Sequence, residues 1–165
     1  MNFEDFLTHK GKDFKGRNLK DIWSFSDMEI ETNHDFIQIV FPLNKPSQSS
    51  FHGFYLHRQD LIDQIKNNKE ATDNIIKSSQ WFISFLKRNL YWNVQYDHNQ
   101  LRITRVIECL RLLVSDEEAD NFYNNVIELI KDNNRINIRT LKFWKNAKQS
   151  LLANLPLQSS YISMN

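Results

Sequence analysis

Two short stretches hold the side chains most able to do chemistry. His34-Asp35 is followed one helical turn later by Gln38, so an imidazole and an amide can share one face and present two hydrogen-bonding groups. An imidazole titrates near neutral pH, which makes His34 the candidate general acid or base. The bland alternative gives Asp35 to a positive helix N-terminus and makes His34 a capping or buried hydrogen-bonding residue. In the second stretch Arg102 and Arg105 stand three apart, hence side by side on a helix, where two guanidiniums can grip a carboxylate or phosphate. Its alternative is an ordinary ion pair, for example Arg105 with Glu108. Asn99, one turn before Arg102, completes a candidate ligand-binding set of His34, Asp35, Gln38, Asn99, Arg102 and Arg105.

Other chemistries find little support. The five histidines, at 9, 34, 52, 57 and 98, form no HxH, HExxH or His/carboxylate spacing for a metal on one helix face, so no metal or other cofactor is expected. Cys109 is the sole cysteine, which excludes an intrachain disulfide and points to a reducing, cytoplasmic setting, or a nuclear one in a eukaryotic host. Neither Cys109 nor Thr104 has an evident activating base, and there is no Gly-rich phosphate loop or GxSxG. The net charge of +1 is far from the basic balance of a dedicated nucleic-acid binder. Arg135, Arg139, Lys142, Lys145 and Lys148 make a modest positive face, and Trp81, Trp92, Tyr91 and Tyr96 could stack on bases, but such residues more often form solvated faces and core. No run of about 18 apolar residues occurs, and the N-terminus resembles neither a secretory signal nor a transit peptide.

The elements that must position these groups read as helices. Three glycines and three prolines in 165 residues leave few tight turns, and the size suits one domain. Residues 1–18 read as a loosely docked basic arm. Leu19, Ile22, Trp23 and Ile30 predict a helix from an Asn18 cap to about Thr32, and Phe36, Ile37, Val40 and Phe41 a short one from Asn33 or His34 to Pro42, with a strand as its rival. A loop over 44–56 precedes helices over 58–68 and 71–90. The most regular stripe, Ile103, Val106, Ile107, Leu110, Leu113 and Val114, predicts a central helix over 99–114. Ser115 with Glu118 is a capping-box signature opening the next helix, to about Asn133, and a last helix spans 137–154. The expectation is an all-α, single-domain bundle of about six to seven helices: an arm over 1–18, a helical domain over 19–155 and a frayed tail over 156–165.

Two blocks of the chain resemble the conserved region of the opioid growth factor receptor family. The first runs Leu19-Lys-Asp-Ile22, then Glu29-Ile-Glu31 and His34-Asp-Phe-Ile-Gln38, and closes on Phe41-Pro-Leu43 with Pro46 shortly after. The second is His98-Asn99-x-Leu101-Arg-Ile-Thr-Arg105-Val-Ile, closing on Leu110, and Leu141-Lys-Phe143 is a fainter third. Ile39 stands where the family often has Trp. The resemblance implies a receptor-like binding module for a peptide or small anionic ligand: the family's receptor binds an enkephalin peptide and restrains proliferation, while its short stand-alone members carry no assigned activity. Two further readings remain, an enzyme using His34 with the Arg102/Arg105 clamp, and a scaffold or oligomerisation domain in which these polar groups satisfy only one another.

Overall fold

In the computed structural model, which describes residues 1–47 and 53–147, the central element is α7 (His98–Leu113). It buries residues round much of its circumference, from Ile103, Val106 and Ile107 to Cys109, Leu110 and Leu112, because α8 (Asp116–Leu129) and α9 (Ile138–Ala147) pack on it from one side of the chain and α5 (Gln59–Lys66) and α6 (Lys69–Arg88) from the other. Each of those apolar side chains contributes roughly 1.5–3 kcal/mol by leaving water. Trp92, in a 3-10 turn over Leu90–Trp92, and Trp144 of α9 are fully buried, with ring centroids 6.4 Å apart. The described residues contain no strand, so the all-α expectation holds. No described helix is long and apolar enough to cross a membrane.

The long amphipathic segments lie where periodicity puts them, with ends fixed by side chains. Asn68 caps α6 by accepting from Ala71 N at 3.2 Å. Ser115 Oγ accepts from Glu118 N at 3.1 Å to open α8, but Ser115 N turns back to the Leu110 carbonyl at 2.9 Å, so the expected capping box is half made. The helix expected to run to residue 154 is described to Ala147; its remainder and the tail over 156–165 lie outside the described residues.

Nine α-helices occur among the described residues, against six to seven expected, and the excess lies at the N-terminal end. Residues 1–18 are not a loosely docked arm. They include α1 (Phe3–Leu7), whose Phe6 and Leu7 are fully buried, and a charged knot in which Arg17 Nε reaches Asp13 Oδ2 at 2.7 Å and Arg17 Nη1 reaches Asp35 Oδ1 at 3.0 Å. Irregular spacing of Phe3, Phe6 and Phe14 hid a single turn of helix. The helix expected over 19–32 is two, α2 (Leu19–Trp23) and α3 (Asp27–Thr32). Serine hydroxyls compete with the helix for backbone groups: Ser24 Oγ donates to the Lys20 carbonyl at 2.9 Å, and Ser26 Oγ accepts from Glu29 N at 3.2 Å as the cap of a fresh helix. Asn18 and Asp21 form a full capping box for α2. The short helix begins later than expected, as α4 (Ile37–Val40), which leaves His34 and Asp35 in the turn before it.

Candidate functional site

α3 and α4 end against the first half of α7, and the contact is made by the two arginines. Arg102 is only 5% exposed. Its Nη1 donates to the Ile30 carbonyl at 2.8 Å and to Asn99 Oδ1 at 3.2 Å, and its Nη2 donates to the Asn33 carbonyl at 2.8 Å. Arg105 Nη1 donates to the Phe41 carbonyl at 3.0 Å. Those oxygens belong to the last turn or cap of α3 and α4, where backbone acceptors have no partner within the helix and the dipole favours a cation. Each guanidinium thus anchors a short helix that could not persist alone. Arg102 also stands over the Phe36 ring, 5.3 Å from its centroid.

Neither arginine has a carboxylate within ion-pair distance among the described residues. Glu108, the expected partner of Arg105, is taken by Lys45 Nζ at 3.0 Å. Burial lowers the proton affinity of both guanidiniums, yet arginine stays charged in proteins. Two positive charges bonded to neutral carbonyls, Arg102 buried and Arg105 half-buried, therefore face one cavity of about 130 Å³, lined by His34, Ile37, His98, Leu101, Arg102 and Arg105. The His34 and His98 rings, both exposed, meet edge to face at its mouth with centroids 5.7 Å apart.

The polar groups behind the cavity form one network. Glu31 accepts from Tyr91 Oη at 2.5 Å and from Asn99 Nδ2 at 3.0 Å, and its Oε1 lies 2.9 Å from His98 Nε2. Burial works to raise the Glu31 pKa, but the bonds from Tyr91 and Asn99 and the nearby His98 and Arg102 outweigh it and hold the carboxyl below its ordinary range. The same pairing, after burial, pushes the Tyr91 phenol up. Asn99, fully buried, links the Glu31 carboxylate to Arg102 and so acts as a positioning residue.

Of the six residues expected at a site, His34, Arg102 and Arg105 line the cavity and Asn99 braces it from behind. Asp35 and Gln38 do not line it. Asp35 is ion-paired with Lys15 and Arg17, which ties the first eighteen residues to the turn before α4. Gln38 is 4% exposed and folds back, its Nε2 donating to the His34 carbonyl at 3.3 Å while its Oε1 is buried without a partner. With His34 outside the helix, the shared helical face expected for His34 and Gln38 does not exist. His98, Glu31 and Leu101 were not among the expected site residues. His98 and Glu31 offered a signal, as members of the family-like blocks, but nothing in the sequence pairs two residues that far apart.

Cys109 is fully buried, and desolvation pushes its thiol pKa up, which suits a small core residue rather than a nucleophile. Among the described residues no group of three or more His, Cys, Asp or Glu could hold a metal ion. Trp92, once a candidate for base stacking, is enclosed in the core with its Nε1 donating to the Leu86 carbonyl at 2.9 Å. No protein-family model matches this chain, and neither does any curated protein or solved structure.

Proposed function

We propose that this protein is a binding module, akin to the conserved region of the opioid growth factor receptor family, that takes a small anionic group in the cavity between His34, His98, Arg102 and Arg105. The observation that carries the reading is a pair of guanidiniums, Arg102 buried and Arg105 half-buried, facing one cavity without a carboxylate counter-ion in contact. A bound carboxylate or phosphate supplies the missing charge where desolvation makes it count most, and it meets donors already held by the carbonyls of Ile30, Asn33 and Phe41. The ligand, whether free or borne on a peptide, presents that anion. The lone buried Cys109 supports a reducing, cytoplasmic setting.

Thermal unfolding in increasing acetate or phosphate, against chloride at equal ionic strength, tests this. Binding to the native state raises its apparent stability by mass action, so the native chain's midpoint climbs with the anion and that of Arg105→Met does not. Identical curves in chloride and in the two oxyanions sink the reading.

A second reading, an enzyme with an acid–base imidazole, gains support from one contact. A carboxylate 2.9 Å from His98 Nε2 orients that ring, which no described carboxylate does for His34. On this reading the acid–base residue is His98, and a bound substrate analogue would be turned over by the native chain but only held by His98→Gln.

A further inference from the structure

The anion cavity has a larger neighbour. His98 and Leu101 line both it and a second, larger recess of about 720 Å³ between α7 and α9. Leu101 is 76% exposed, and the recess also carries Tyr96 and Phe143, 69% and 59% exposed. Large apolar side chains gathered at one place in water mark a surface that something covers. The carboxylate of Glu108 on the same wall is ion-paired with Lys45, and the wall carries one further carboxylate, Asp97, and one guanidinium, Arg139. By that count the recess carries little net charge of its own, and it shares His98 and Leu101 with the cavity of the two guanidiniums.

The charge balance of the small cavity selects the head group. Glu31 and Asp97 both act on Arg102, whereas Glu108, the carboxylate that acts on Arg105, is ion-paired with Lys45, so one positive charge, that of Arg105, is left over. That balance matches a monoanion and leaves a dianion overcharged. We propose that the site takes a free single-chain aliphatic carboxylate, its head between Arg102 and Arg105 and its hydrocarbon chain laid past Leu101 along the α7–α9 recess against Phe143. This rests on the anion-cavity reading and adds to it the ligand's class and direction.

Calorimetric titration of the full chain with acetate, butanoate, hexanoate and octanoate, beside octanol and inorganic phosphate, tests it. Affinity is expected to rise about fourfold per methylene covered until the recess is filled, with octanol and phosphate weaker than octanoate. Phe143→Ser flattens that series while acetate binds as before, and Arg105→Met weakens every carboxylate. Equal affinities for acetate and octanoate, with acetate still dependent on Arg105, would overturn the chain's placement and leave the anion cavity standing. The same result with self-association abolished by Phe143→Ser would give the recess to a second copy of this chain. Octanol as tight as octanoate, or phosphate tighter than acetate, would overturn the head-group assignment. Absence of binding by every anion would remove both this inference and the reading beneath it.

Discussion

Arg102 Nη1 donates to the Ile30 carbonyl at 2.8 Å, joining residues 72 apart in sequence, and this bond locks the end of α3 to the first turns of α7. The neighbouring Asn33 carbonyl and Asn99 Oδ1 depend on the same guanidinium. Arg105, by contrast, holds one backbone oxygen, that of Phe41. The two arginines share a cavity but divide its duties, one chiefly structural and the other left freer to meet a ligand.

That division is measurable. Arg102→Met strands three acceptors and is expected to cost about 3 kcal/mol, whereas Arg105→Met strands one and is expected to cost about 1 kcal/mol. Urea unfolding of both variants checks the ratio. Equal losses, with no anion response in the native chain, would favour a scaffold in which these polar groups serve only one another.

Removing the negative charge behind His98 acts in two directions at once. Glu31→Gln is expected to tighten acetate binding on the order of threefold, because one repulsive charge near the cavity is gone. It also loosens Tyr91, Asn99 and His98, which bond to that carboxylate, and so lowers the unfolding midpoint. Calorimetry and thermal unfolding on the same variant separate the two effects.

Asp35 gives a pH dependence of definite sign. Burial alone would raise its pKa above the ordinary 3.8, but Lys15 and Arg17 outweigh burial and hold it lower. The folded chain thus binds that proton more weakly than the unfolded chain does. The stabilisation is fully present above the unfolded value, at about pH 5 and higher, and is lost as pH falls through the folded value. Asp35→Asn is expected to cost about 2 kcal/mol at pH 7 and to unfold with a shallower loss below pH 4 than the native chain. Parallel urea midpoints across that range would contradict the assignment.

The first eighteen residues belong to the folded body. Phe6 is fully buried and Asn74 Nδ2 donates to the Leu7 carbonyl at 2.8 Å, so α1 is fastened to α6. Phe6→Ala is expected to cost about 3–5 kcal/mol, read from chemical denaturation. A loss below about 1 kcal/mol would restore the loose arm that the spacing of its phenylalanines suggested.

The long helices were legible because their evidence is local. Ile75, Phe82 and Leu86 in α6, and Ile103, Val106, Ile107 and Leu110 in α7, repeat at helical spacing and are buried. Where the reading of the short elements failed, it did so at Ser24 and Ser26, whose hydroxyls split an apolar stripe that looked continuous, and at Asp35. Its neighbour His34 suggested a helix start, but two cations eighteen or more residues earlier drew its carboxylate instead.

The amino-acid sequence by itself determined an all-helical chain, its central helix and the placing of Arg102 beside Arg105, since each follows from a repeat of three to four residues. Only the tertiary structure decided that His34 and His98 share a mouth, that Glu31 stands behind His98, and that both guanidiniums meet carbonyls rather than carboxylates. Those pairings join segments some sixty to seventy residues apart. Periodicity fixes which face of a helix is apolar, but the partner that face meets is set by how all the helices pack together.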